Sequence, residues 1–149
     1  MRPQGFTLLE LMFATLVAAL LIAIAVPLYS DAMQKARIGQ VIADMSRIEG
    51  ELEKFRFRPP GDLPPNLAAI GMDTLRDPWG NPYQYLNIEA GAPIGAVRKD
   101  KNLVPLNTDF DLYSLGADGL SLPPLTAIAS RDDIIRAGNG SYLGIAKDY

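Results

Sequence analysis

The chain has 149 residues, 48% of them hydrophobic and 21% charged, with a formal net charge of −3. That length suits one domain plus an extended helix, and no basic cluster marks a nucleic-acid footprint, so no nucleic-acid partner is expected. Cysteine and histidine are both absent, which excludes a disulfide framework and removes the commonest general base and metal ligand.

Met1-Arg2-Pro3-Gln4-Gly5 meets Phe6-Thr7-Leu8-Leu9-Glu10, and no charge follows from Leu11 to Ser30. At 1.5 Å per residue, about twenty helical residues reach ~30 Å, the thickness of a bilayer's hydrocarbon core. A transmembrane or filament-core helix is therefore predicted over 6–30. Glu10 sits at the mouth of that run. Burying it unpaired in lipid costs at least ~2.5–3.5 kcal/mol. The apolar run holds no cation, so the partner of Glu10 is expected on another chain. A secretory signal peptide has a basic start, an apolar stretch of about 7–15 residues and a small-residue cleavage site. Arg2 and Ala23-Ile24-Ala25 imitate that pattern, but the run is longer, opens on Glu10 and leads into further helical patterning. A plain single-pass anchor explains the length but neither Glu10 nor the Gly5-Phe6 junction.

From Asp31 the pattern changes. Ile38, Val41, Ile42, Met45, Ile48, Leu52 and Phe55 recur at three- and four-residue spacing, the stripe of an amphipathic helix. Lys35, Arg37, Asp44, Arg47, Glu51 and Lys54 fill its other face. Nothing between the two regimes breaks a helix outright. One helix is predicted from about Thr7 to about Arg58, roughly 75–80 Å long at 1.5 Å per residue. Pro27 removes a backbone donor and should kink this helix or melt it locally on assembly. Arg58-Pro59-Pro60-Gly61 stops it. The amphipathic part, 31–58, is expected to pack on a globular head, 59–149.

The head opens on an extended loop to Pro65, set by Pro59, Pro60, Pro64 and Pro65. Asn66 can cap a short turn, Leu67 to Ile70, closed by Gly71. Asp77-Pro78-Trp79-Gly80-Asn81-Pro82 then leads into an alternating strand, Tyr83 to Ile88. Asp109 to Leu115 reads as a second strand, Gly116-Ala117-Asp118-Gly119 as a turn, and Ser141 to Ala146 as a third strand. The fold class expected is α+β: a long N-terminal helix packed against a small antiparallel sheet of about three strands. Trp79, Tyr83 and Tyr85 belong to core and turn packing. Asp109 and Asp111 share a strand face and imitate an acid pair. No nucleophile, histidine or pocket signature accompanies them, so no enzymatic activity is expected.

Gly5-Phe6-Thr7-Leu8-Leu9-Glu10-Leu11 resembles the processing motif of the type IV pilin and type II secretion pseudopilin superfamily. In that superfamily a membrane peptidase cuts after the glycine, and the new N-terminal phenylalanine is N-methylated. The resemblance implies that 1–5 is a leader, removed between Gly5 and Phe6 by a prepilin peptidase/N-methyltransferase. It also supplies the missing partner: the α-amino group of one subunit's Phe6 would pair with Glu10 of a neighbour as helices stack into a filament. A buried carboxylate needs a compensating cation, and cleavage creates one at that depth.

Asp77-Pro78-Trp79-Gly80-Asn81-Pro82-Tyr83-Gln84-Tyr85 and Asp111-Leu112-Tyr113-Ser114-Leu115-Gly116-Ala117-Asp118-Gly119 resemble, more narrowly, the major (G-type) pseudopilins of type II secretion. Two segments depart from that pattern. Glu89 to Thr108 is longer than usual and locally basic at Arg98, Lys99 and Lys101; Leu120 to Ser130 lacks the usual glycines and carries Pro123-Pro124. Major pseudopilins bind one calcium ion in the loop after the Leu-Gly-Ala-Asp-Gly turn. Carried over, Asp118 would be one ligand, with the Leu115 carbonyl nearby, and Asp132 and Asp133 would close the site. Hard oxygens of this kind suit calcium. Without the resemblance, Asp118-Gly119 is a common turn pair, and Asp132-Asp133 could cap a short helix through Ile134 and Ile135.

The function so implied is a structural subunit of a type II secretion pseudopilus, polymerising through its N-terminal helix into a periplasmic filament that promotes protein export. Its partners would be copies of itself, minor pseudopilins, the prepilin peptidase and an inner-membrane assembly platform. The chain would cross the bacterial inner membrane once, with its head in the periplasm. The alternative is a major or minor type IV pilin serving adhesion, motility or DNA uptake. Missing cysteines and the Asp-Pro-Trp-Gly-Asn-Pro block favour the pseudopilus, since many pilins close their C-terminal region with a disulfide. A membrane-anchored binding module with Glu10 incidental is a third reading.

Overall fold

The predicted long helix is present as α1, Leu8–Arg56, in this computed structural model, which describes residues 5–149. The chain divides into two compact units, the first ending at Ala36 and the second spanning Arg37–Tyr149. In the first unit α1 passes through Pro27, and the Ser30 hydroxyl donates to the Pro27 carbonyl at 2.9 Å. Its apolar side chains, among them Leu8, Phe13, Leu16, Leu20, Leu21 and Ile24, are exposed. A helix this apolar is long enough to cross a membrane, and none of its most apolar window is buried.

In the second unit α1 behaves as the spacing predicts. Val41, Met45, Ile48 and Leu52 are fully buried and form one core with Phe110, Leu112 and Ile134 of the sheet, closed by Leu63, Leu67 and Tyr83. Burying each such side chain is worth about 1.5–3 kcal/mol relative to exposure. The Leu67–Ile70 turn is a short 3-10 helix: the Asn66 side chain accepts from the Ala69 N–H at 3.1 Å, and Gly71 closes it at φ 70°. The Tyr83 hydroxyl donates to Asp44 of α1 at 3.0 Å, and the Tyr85 hydroxyl donates to the Pro64 carbonyl at 2.8 Å.

The sheet has four antiparallel strands in chain order: β1 Gln84–Asn87, β2 Phe110–Ser114, β3 Ile134–Ala137 and β4 Tyr142–Ile145. Tyr85 pairs with Leu112, Ser114 with Ile134, and Ile135 with Gly144. β1, β2 and β4 fall within the three strands expected from the sequence. The alternative of a short helix through Ile134 and Ile135 is not what forms; β3 is the additional strand. Its four residues are all buried. Ile134 faces the α1 core, whereas Ile135 and Ala137 join a second core with Leu106, Leu125 and Ala146 on the opposite face. A strand covered on both faces loses the alternation by which strands are recognised.

Arg136 lies within β3 and is only 3% exposed. Its guanidinium donates to both carboxylate oxygens of Asp109 at 2.8 Å and, through Nε, to Glu49 of α1 at 2.8 Å. It also lies 4.0 Å from the centroid of the Phe110 ring. Asp109 and Asp111 consequently do not form an acid pair. Asp111 accepts instead from the Arg98 N–H at 2.6 Å and the Asn107 side chain at 2.9 Å.

Burial pushes the Asp109 carboxyl up, but the bonds from Arg136 and the Phe110 N–H outweigh it and hold the group below its ordinary value. A carboxylate with a depressed folded value contributes stability above its unfolded value, near 3.9, and loses that contribution as pH falls through the folded value. Asp109→Asn is expected to cost about 1.5–3 kcal/mol at neutral pH. The gap between the two proteins should narrow as pH drops below about 4. Denaturant unfolding of detergent-extracted protein, followed by Trp79 fluorescence across pH, checks both outcomes.

Candidate assembly segment and acidic loop

Glu10 lies in the first turn of α1, where a negative charge complements the helix dipole. Thr7 precedes the helix and closes a reciprocal cap with it. Both the Thr7 N–H and the Thr7 hydroxyl donate to Glu10 Oε2 at 2.9 Å, while the Glu10 N–H donates to Thr7 Oγ1 at 3.2 Å. This is a capping box, Thr-x-x-Glu, and its spacing is visible in the sequence. Its two donors to the carboxylate are neutral, so no cation on this chain is needed to hold Glu10 in place. Phe6 is 90% exposed next to this cap, and no atom crowds Gly5. Of the expected leader, residues 1–4 lie outside the described residues.

The two motifs from the head meet in space. Asp77 Oδ1 accepts from the Trp79 and Asn81 N–H groups at 3.0 and 2.8 Å, which fixes the turn before β1. Its other oxygen accepts from the Ser114 hydroxyl at 2.6 Å, and the Asn81 amide donates to the Gly116 carbonyl at 3.2 Å. The turn over 77–82 is thereby clamped to the end of β2 and the turn that follows. Sequence reasoning named neither Asp77 nor Asn81 as functional. A short acid two and four residues before backbone N–H groups is the available signal.

The four positions expected to ligate calcium lie along the same turn but do not converge. Asp132 Oδ2 accepts from the Ala117 and Asp118 N–H groups at 2.8 and 3.1 Å. Asp118 Oδ1 accepts from the Leu120 N–H at 2.8 Å, a local turn bond after the Leu115 carbonyl. Asp133 points into the protein, fully buried, and its Oδ2 pairs with Arg98 at 2.6 Å. Burial pushes the Asp133 carboxyl above its ordinary value, against the opposing pull of the Ser121 hydroxyl and Arg98. Burial raises Asp111 likewise. Among the described residues no three acidic side chains gather as a metal cluster. Asp132 and Asp133 do not cap a helix either, because Asp133 leads directly into β3.

Gly116 shows how tightly this turn is built. Its φ is +65°, and a Cβ there would fall 2.5 Å from the Asp132 carbonyl oxygen and 2.6 Å from Asp132 Oδ2. Gly116→Ala is expected to destabilise the head by more than the ~1–2 kcal/mol of a left-handed L-residue, since backbone must also shift. A fall in melting temperature of the extracted protein well beyond that of Gly91→Ala, at φ +88° with open space around it, checks this.

Residues 1–26 match the family described as the prokaryotic N-terminal methylation motif. Across most of its length the chain is similar to type II secretion system core protein G. The Pseudomonas aeruginosa protein is 29% identical, covering 79% of this chain and 86% of that one. The Vibrio cholerae protein is 28% identical, covering 80% and 84%. Fimbrial protein EcpB of Eikenella corrodens is 40% identical, but over only 36% of this chain and 34% of its own. No solved structure matches the chain.

Proposed function

We infer that the chain is a pseudopilin of the type II secretion core protein G class, a structural subunit that polymerises through its N-terminal helix. The observation that carries this reading is the Gly5-Phe6 junction, set before an exposed apolar helix that opens on Glu10, on a chain similar to core protein G through its head. The fimbrial resemblance covers little more than a third of the chain, so a type IV pilin explains less of it.

The chemistry follows from the position of Glu10. Prepilin peptidase cuts between Gly5 and Phe6 and leaves an ammonium at Phe6, one helical turn from the carboxylate. Thr7 occupies only Oε2 of Glu10, with neutral donors, which leaves Oε1 to accept from a cation. A neighbouring subunit's Phe6 ammonium neutralises Glu10 as the helices pack side by side, and their exposed apolar faces leave lipid together. The first half of α1 anchors the subunit in the inner membrane, the head lies in the periplasm, and minor pseudopilins and the assembly platform complete the filament. The role is structural rather than catalytic.

Intact-mass measurement of membrane-extracted protein tests the processing step: the mass should lack residues 1–5 and carry one added methyl group. Gly5→Ala should shift the population to the uncut form, while a wild-type mass retaining Met1 to Gly5 beside an active prepilin peptidase contradicts the reading. Glu10→Gln separates the two roles of the carboxylate. Glutamine keeps the capping box but removes the charge, so the variant should insert and be processed normally yet give far less filament in sheared fractions. Filament yield equal to wild type would reduce Glu10 to a helix cap.

A further inference from the structure

The two segments that depart from the major-pseudopilin pattern, Glu89 to Thr108 and Leu120 to Ser130, are partners of one another. The Lys99 N–H donates to the Pro123 carbonyl at 3.1 Å, and the Leu125 N–H donates to the Lys99 carbonyl at 2.9 Å. Between them lies Arg98, 2% exposed. Nη1 donates to the Ser121 hydroxyl oxygen at 2.5 Å and to the Leu122 carbonyl at 2.7 Å; Nη2 donates to Asp133 Oδ2 at 2.6 Å. The Arg98 N–H also holds Asp111 of β2, and the guanidinium lies 4.4 Å from the centroid of the Tyr113 ring. One side chain thus joins the start of the loop to the strand that follows it. The loop is shut a second time at Ser130, whose hydroxyl donates to the Leu122 carbonyl at 2.7 Å and accepts from the Leu122 N–H at 2.9 Å.

We propose that Arg98 is the resident cation of this loop, a chain-borne charge in the role the resemblance assigns to calcium, so that the head folds without a divalent ion. Three features support this. The donor set does not fit a metal: Asp118 and Asp132 spend oxygens on backbone amides, and Asp133 is committed to a guanidinium. A fixed positive charge bonded to Asp133 repels a divalent cation at the same carboxylate, and a buried site screens that repulsion weakly. The two buried side-chain atoms without a partner among the described residues, Arg98 Nε and Asp133 Oδ1, belong to this same pair. One is a donor and the other an acceptor, a complement that suits water rather than a bare cation. The inference concerns the head alone and stands whether or not the chain polymerises.

The test uses the full chain extracted in detergent, melted in calcium chloride and in chelator, with calcium titration calorimetry beside it. Wild type should melt at the same temperature in both and release no binding heat. Arg98→Met keeps the aliphatic bulk but strands Asp133, and should lower the melting temperature by roughly 10 °C or more in either buffer. Arg98→Met combined with Asp133→Leu removes both charges and should recover much of that loss. Should Arg98→Met fail to accumulate, Asp133→Asn, which keeps a hydrogen-bonding acceptor, should show a smaller loss that is again indifferent to calcium. A wild-type increment of several degrees in calcium that Asp118→Ala abolishes overturns the proposal, as does an Arg98→Met protein that melts with wild type.

Discussion

A carboxylate leaves water only in company, and the head is organised around that constraint. Arg136 draws Glu49 from α1 and Asp109 from the start of β2 onto one guanidinium, stacked on Phe110. The helix and two neighbouring strands therefore share a single charge, in the middle of an otherwise apolar layer of Ile48, Leu52, Phe110 and Ile134. Arg98 does the same on the opposite face, beside the core of Leu106, Leu125 and Ile135. Arginine suits both places. Its planar fork offers several donors at fixed angles, can lie flat on an aromatic ring, and stays charged when buried. Such pairs add less net stability than their geometry implies, because desolvating both ions offsets most of the attraction. Their effect is on uniqueness: an alternative packing that parts either arginine from its acids leaves an uncompensated charge inside.

The two head motifs obey the same rule with neutral partners. Asp77 shares its oxygens between its own turn and Ser114, and Asn81 reaches the Gly116 carbonyl. Residues separated by more than thirty positions are thus one physical unit, joining the Asp-Pro-Trp-Gly-Asn-Pro block to the Leu-Gly-Ala-Asp-Gly turn. Gly80, at φ +95°, closes the first and Gly116 the second, and each leaves a polar group that only the other satisfies.

Elements with a periodic signature were legible from the sequence; elements defined by distant partners were not. Three- and four-residue spacing from Ile38 to Phe55 located the buried stripe of α1, and alternation located β1 and β2. β3 escaped because Ile134 and Ile135 enter different cores, so its apolar run has no solvent face to give it a period. The Thr7–Glu10 cap has the spacing of a capping box, but its donors are a hydroxyl and an amide and carry no charge. The fate of Asp133 was illegible for a deeper reason. Its partner lies 35 residues upstream in a segment whose basic residues were in view, but no local rule ties one of them to an acid before β3.

The position of Arg98 also bears on how the head meets its surroundings. An ion held from solution stabilises a fold by mass action, so the fold inherits the concentration and chelators of its compartment. A guanidinium on the chain has no such dependence; its effective concentration is set by the segment that carries it. That segment is Glu89 to Thr108, whose two ends are joined by the bond from the Ile88 N–H to the Asp109 carbonyl and whose middle is held on the Pro123–Leu125 stretch through Lys99. The glycine-poor, proline-bearing loop matches it. Pro123 and Pro124 restrict the backbone where Lys99 must pair with it, and they narrow the unfolded chain's choices more than glycine would. The Lys99 pairing with Pro123 and Leu125 thus makes the two segments one unit of the head.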